Sequence, residues 1–414
     1  MVSSMVLFGT VHFGKAQSGT NVNGIITSDT TWTQANSPYT FTGPVAINAG
    51  VTLTIQAGIT VNIGSYYLQV NGTLYAQGSQ TNPIYINTNS SGFSIIFTPL
   101  SSSWNEQTAT GCIIQNAVLN QTSGSETGLI DIENASPKIN NNAINYFSDY
   151  HSEPTVIGIS GSPIISNNNI TISGDVKGIS ISSGSPIISN NIIHGTQNGG
   201  SWGISSFGNS YIFGNVISGC NCGIDSANSA TITRNLLYNN TNEDGTDGYA
   251  IKVAGSGYSL IENNTIINSP DGIYIYNAPD DPLSVNITNN NIYGNGYNIY
   301  CSSSSNINAT YNWWGTTNSQ AIEQTIYDFK NDFNSGNVTF VPFLTTPNPE
   351  APASPTSSPT ILPTSSNPTA TPTATSSPTP TPTVPEFPAT IILPLFAVVI
   401  LLSMVFIKKR IPQK

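Results

Sequence analysis

The side chains able to do chemistry in this chain are few, because only 7% of its residues are charged. Asp225 and Lys252 each follow a recurring dipeptide, Gly223-Ile224 and Ala250-Ile251. A carboxylate and an ammonium in equivalent slots of neighbouring repeats could serve as an acid–base pair, or could be a surface ion pair worth little. Glu243, Asp244 and Asp247 crowd one short stretch, and carboxylates are the hard oxygen donors that Ca²⁺ takes; an acidic turn with no ion is the plainer reading. Tyr274, Tyr276 and Tyr300 offer aromatic faces beside hydroxyls, a combination suited to a sugar, although tyrosine also simply favours strands. Four cysteines (Cys112, Cys220, Cys222, Cys301) lack CxxC spacing, which predicts buried free thiols. The histidines (His12, His151, His194) are scattered and methionine is nearly absent, so no copper ligand set is evident. No cofactor is required; Ca²⁺ is the one the acidic stretch could take.

What must position these groups is a repeat. An aliphatic residue, two variable residues, an asparagine, one variable residue and a second aliphatic recur through the chain. The asparagines are Asn116, Asn142, Asn168, Asn191, Asn215, Asn235, Asn264, Asn290 and Asn312, at intervals of 26, 26, 23, 24, 20, 29, 26 and 22. A period in the twenties signals a solenoid, whose units bury their apolar faces only by stacking on one another. Helical repeats would need ten or more residues of 3.6-period pattern, and none occurs. Short alternating runs such as Ile179-x-Ile181, Ile251-x-Val253 and Ile273-x-Ile275, separated by Gly, Asn and Ser, read instead as strands and turns.

A second register, Gly-Ile at 158–159, 178–179, 203–204, 223–224 and 272–273, puts at least two short strands in each coil. The expected fold is therefore all-β, a parallel β-helix with strands ~4.8 Å apart, over roughly residues 40–316 and about a dozen coils. The asparagine column is expected to be structural: stacked amides bond each other and nearby backbone, and asparagine tolerates left-handed backbone angles. Taking the residue after each core isoleucine as outward-pointing gives the column Ser160, Ser180, Ser205, Asp225, Lys252, Tyr274 and Tyr300, which turns from small and polar to charged and then aromatic. Trp313 and Trp314 are expected to close the last coil, with a capping helix over 319–329 and a final strand over Val338–Phe343.

The two registers, the opening Gly50-Val51-Thr52-Leu53-Thr54-Ile55 and the closing Tyr311-Asn312-Trp313-Trp314-Gly315 resemble right-handed parallel β-helix repeat proteins, a superfamily that includes pectate-lyase-like enzymes and the periplasmic NosD-type copper-associated proteins. The resemblance covers about 300 residues. It implies the right-handed fold and leaves function open, since that fold carries lyases, hydrolases, epimerases, adhesins and inert spacers.

After Leu344 the composition changes. The domain reading is a truncated signal peptide over 1–17, the β-helix with its C-terminal cap over 18–345, a disordered Pro/Ser/Thr-rich stalk over 346–385, an apolar helix over 386–407 and a basic tail over 408–414. Residues 389–407 run for 19 residues without a charge and are followed by Lys408, Lys409 and Arg410, which suits a single membrane span with the basic flank cytoplasmic. Val384-Pro385-Glu386-Phe387-Pro388 resembles the PEF-type C-terminal sorting signal of archaeal surface proteins. That resemblance implies cleavage and re-anchoring as the alternative to a retained helix. Ten Asn-x-Ser/Thr sequons, from Asn71 to Asn337, permit glycosylation. Residues 16–383 hold five basic and 20 acidic side chains, a net −15, which argues against nucleic acid and polyanionic glycans as partners.

Three functions compete. The favoured one is a non-catalytic β-helix held on the outer side of the cell membrane for glycan contact, adhesion or envelope architecture. The second is a polysaccharide lyase, hydrolase or epimerase using Asp225 and Lys252. The third is a NosD-like metal-associated accessory protein.

Overall fold

The computed structural model describes residues 19–121, 127–148, 153–196, 200–255, 257–277 and 283–355. The proposed signal peptide, the PEF-type motif, the apolar run, the basic tail and the stalk from residue 356 onward lie outside them.

Every strand pairing in the described chain is parallel apart from one isolated bridge, and each strand pairs with its equivalent one turn away. The result is a parallel β-solenoid of about 11 turns with almost no helix. At ~4.8 Å per turn this is ~50 Å long. It starts earlier than the alternation suggested: Thr20–Ile26 already pairs with Tyr39–Ile47. Three faces run its length. Face 1 precedes each column asparagine, as in Ile164–Ser166 and Ile187–Ser189. Face 2 follows it, as in Asn169–Ser173 and Thr265–Ile267. Face 3 carries the Gly-Ile register, as in Lys177–Ile181 and Tyr249–Val253.

The core is the stack of inward residues from all three faces. Ile165, Ile188 and Ile212 on face 1, Ile170, Ile193 and Ile217 on face 2, and Ile179, Ile204 and Ile224 on face 3 are fully buried. Identical side chains therefore meet identical ones in the next turn, which is why isoleucine dominates: its β-branch fits a pleated, half-buried surface.

The corner between faces 1 and 2 holds the asparagines. Asn142, Asn168, Asn191, Asn215, Asn235, Asn264, Asn290 and Asn312 form one file, each side-chain amide donating to the next Oδ1 at 2.9–3.0 Å. Each also donates to an isoleucine carbonyl of the preceding turn, as Asn191 does to Ile165 O at 2.9 Å. The left-handed residue is the one before, not the column asparagine itself: Asn141, Asn167, Asn190, Gly214, Arg234, Asn263, Asn289 and Tyr311 have φ between 54° and 67°. Asn116 belongs to that second set. Its φ is 50°, and the pairing of Ile114 with Ile139 puts Ala117, not Asn116, in the column, where its N–H donates to Asn142 Oδ1 at 2.9 Å. An asparagine at each of two adjacent positions makes a one-residue slip invisible in the pattern.

At the start of the solenoid Trp32 stacks on Tyr39 with ring centroids 4.6 Å apart. At the far end Trp314 is buried and meets Phe340 edge-on. The capping helix is shorter than expected, Ser319–Glu323, with Asn318 as its N-cap, and the last strand is only Val338–Thr339.

Residues 345–355, of which 346–355 were expected as the stalk's beginning, instead lie on face 2 as a hook. Asn348 bonds Asn291 in both directions, at 2.7 and 3.1 Å. The chain turns at Pro349–Glu350, where Glu350 pairs with Arg234 at 3.5 Å, and returns past Thr265 to Tyr293, whose hydroxyl meets Ser354 Oγ. The segment is held by hydrogen bonds of Asn348, Pro352 and Ser354 rather than by an apolar stripe, so composition alone could not separate it from the spacer after it.

Candidate functional site

The site is built on the five-residue strands of face 3: Lys177–Ile181, Trp202–Ser206, Cys222–Ser226, Tyr249–Val253, Asp271–Ile275 and Tyr297–Cys301. Simple alternation fails in them. The second residue is skipped in the residue-to-residue pairing. Second, third and fifth residues are buried, as Ala250, Ile251 and Val253 are, so two consecutive side chains point inward and the first and fourth point out. This is the local effect of a bulge. It also explains the glycine at the second position: a Cβ on Gly178 would lie 2.6 Å from the Gly203 carbonyl oxygen of the next turn.

The fourth-position column is Asp131, Gly158, Ser180, Ser205, Asp225, Lys252, Tyr274, Tyr300 and Tyr327. Ser160 does not belong to it. Gly158-Ile159 is displaced by two residues from the other Gly-Ile pairs, because Ile157 is the residue that aligns with Ile179. Beside this column stand the first-position residues Lys177, Trp202, Cys222, Tyr249, Asp271 and Tyr297. Their three-residue offset from the fourth position is visible in the sequence, yet alternation would turn them inward, so they went unread.

The two columns together make an aromatic strip. Tyr249 and Tyr274 rings are 4.8 Å apart, Tyr274 and Tyr300 5.5 Å, and Tyr300 and Tyr327 stack at 4.2 Å with planes 2° from parallel. Tyr297 meets both Tyr300 and Tyr327 edge-on. Burial first, then its hydrogen bond with Tyr327, pushes the Tyr300 hydroxyl up to about 12. Burial and neighbouring Asp247 do the same to Tyr249, so both hydroxyls stay protonated donors at neutral pH. Asp271 lies between Tyr249 and Tyr297 in the first-position column; burial, with the charge of Asp247, pushes its carboxyl up to about 6. Tyr276 lies beyond the end of its strand, exposed, and shares no ring contact with the strip.

At the polar end of the strip Lys252 Nζ is 3.9 Å from Asp225 Oδ1. Asp225 is only 5% exposed, and burial raises its pKa above the usual carboxylate range against the pull of Lys252 and Lys177. The Trp202 ring stands between two ammonium groups, Lys177 at 5.6 Å and Lys252 at 5.2 Å.

The acidic stretch is not part of one cluster. Asp244 accepts from the backbone and hydroxyl of Thr246 within its own turn, which lowers its pKa. Asp247 accepts from Gly248 N at 2.8 Å. Among the described residues no three His, Cys, Asp or Glu side chains converge as a metal site.

The fold and its stacked columns define the class: the chain has the parallel β-helix repeat fold. Within it, residues 205–344, 140 of the 414, match the family model described as periplasmic copper-binding protein (NosD). No curated protein and no solved structure matches the chain.

The copper in that description can be tested against the residues present. The matched segment has no histidine and no methionine. Its three cysteines are buried and free, and burial drives their thiols up, Cys220 to about 12, Cys301 to about 11 and Cys222 well above the usual thiol range. The thiolate is the ligating form. The matched residues therefore do not fit a copper centre.

Proposed function

We propose that this is a β-helix protein of the cell surface whose face 3 contacts envelope or extracellular glycan without transforming it. The observation that carries the reading is the unbroken strip of tyrosine rings from Tyr249 to Tyr327, an arrangement that offers apolar faces and protonated hydroxyls together. The periplasmic family that residues 205–344 resemble supports a location outside the cytoplasm. So does the order of apolar run and basic tail at the C-terminus, which anchors the chain in the membrane either as a retained helix or after cleavage at the PEF-like motif.

The test is a glycan array probed with the soluble unit, residues 18–356, with and without Ca²⁺. Tyr274→Ala with Tyr300→Ala is expected to abolish binding while leaving the melting temperature nearly unchanged. Binding that survives the double substitution moves the site off the strip, and the Glu243–Asp247 stretch becomes the next place to look. Shortened chains or new unsaturated ends in the same incubations would replace the reading with the enzymatic one, in which Asp225 and Lys252 are the reacting pair. A second reading, a NosD-like accessory role, has the family match in its favour. It would act through a partner rather than through copper held on the matched residues.

A further inference from the structure

The tyrosine strip does not end at Lys252. Asp225 Oδ1 makes no hydrogen bond, and neither does Ser205 Oγ on the adjacent strand, although Ser205 is 1% exposed and Asp225 5%. Buried polar atoms are nearly always hydrogen-bonded, and two neighbours in one column without a hydrogen bond, one of them only at ion-pair distance from Lys252, call for a partner. Lys252 Nζ lies 3.9 Å from Asp225 and 5.2 Å from the Trp202 ring, so carboxylate, ammonium and indole converge on one place.

The charges there select the ligand. A cation would meet Lys177 and Lys252, the two ammonium groups flanking the indole. An anion would meet the Asp225 carboxylate. A neutral polyol meets neither: its hydroxyls donate to Asp225 and Ser205, an oxygen accepts from Lys252, and its apolar face lies on Trp202.

We propose that Trp202, Ser205, Asp225 and Lys252 form a saccharide subsite continuous with the tyrosines, and that the whole strip takes an extended, neutral glycan lying along the solenoid axis. This rests on the glycan reading above. The direction follows from spacing: the strand of Trp202 and the strand of Tyr327 are five strand intervals apart, ~24 Å. A glycan laid across the axis would meet only the two outward residues of one strand. Asp225 and Ser205 are buried, so a side chain must move before a sugar reaches them, and the half-buried Trp202, first residue of the Ser205 strand, is the one assigned that role.

Calorimetric titration of the full chain with neutral cello-, manno- and chitohexaose, and with the matching disaccharides, tests this. Trp202→Ala and Asp225→Asn are each expected to weaken the best hexasaccharide about tenfold or more, and to leave the disaccharide, seated on the tyrosines, unchanged. The hexasaccharide should also shift the tryptophan fluorescence of the native chain but not of Trp202→Phe. If both variants bind the hexasaccharide as the native chain does, the subsite is wrong and the tyrosine reading stands. Equal weakening for both lengths, or a drop in melting temperature matching the lost affinity, makes Trp202 merely structural and overturns the proposal. If the native chain binds none of these sugars, subsite and glycan reading fail together.

Discussion

At the residue scale the stacked amide explains itself. Each column asparagine serves a backbone N–H, a backbone carbonyl and a neighbouring amide at once, as Asn191 does: its Oδ1 accepts from the backbone N–H and the amide of Asn168, and its amide donates to Ile165 O and Asn215 Oδ1. Leucine there would fill the volume and leave those buried partners unmet. Asn191→Leu is expected to cost about 1–3 kcal/mol, whereas Asn209→Leu, at an exposed position, should stay within ~0.5 kcal/mol. Equal urea midpoints for the two variants would contradict a structural column. Asp271 makes a pH-dependent contribution. Its carboxyl rises from 3.8 to about 6 on folding, so between those values the native chain holds more protons than the unfolded one. Its contribution to stability is complete below about pH 4 and is lost as pH rises through 6. The native chain should therefore lose melting temperature from pH 4 to 7 relative to Asp271→Asn, and parallel profiles would show that the shift is absent.

At the element scale two departures from ideal strands organise the molecule. The left-handed residue before each column asparagine turns face 1 into face 2. A β-branched side chain is costly in that conformation. Asn167→Val is expected to lose about 1–2 kcal/mol, while Asn167→Gly should be nearly neutral; denaturant midpoints of the three proteins decide it, and an unaffected valine variant would mean that the corner relaxes. The second departure is the skipped residue of face 3, which turns the first side chain of each strand outward in place of the second and brings Tyr249 and Tyr297 beside Tyr274 and Tyr300. A second, shorter column runs five residues after the first: Asn240 Oδ1 accepts from Cys220 N, and Asn295 Oδ1 accepts from Ser269 N. The Asn-x4-Asn spacing at 235/240 and 290/295 was its only trace in the sequence.

At the scale of the whole molecule the hook of residues 345–355 covers face 2 around Thr265 and Asn291 and leaves face 3, with its strip, uncovered. The described residues thus end on the side of the solenoid, near Tyr293, rather than at its capped end. Removing residues 384–414 spares both the hook and the cap, so the shortened protein is expected in the medium as an intact β-helix. Its retention with the membrane, or a cytosolic location for the full chain, would refute a surface anchor. A mature mass ending near Pro385 would distinguish cleavage from a retained helix.

The sequence by itself determined the solenoid, its repeat length and the identity of most of its stacked columns, because a side chain that must meet its own equivalent one turn away leaves a periodic record. Asn142 through Asn312, and Ser180 through Tyr300 on face 3, could be read this way. Register within a turn was decided only by the tertiary structure. Asn116 and Ser160 were misplaced by one and two residues, since Asn-Asn pairs and repeated Gly-Ile dipeptides look alike until strands pair. The first-position partners that complete the candidate site, Trp202, Tyr249, Asp271 and Tyr297, were also hidden. Their outward direction comes from a bulge set by close backbone approach between turns, and no pattern along a single strand encodes a distance to the next one.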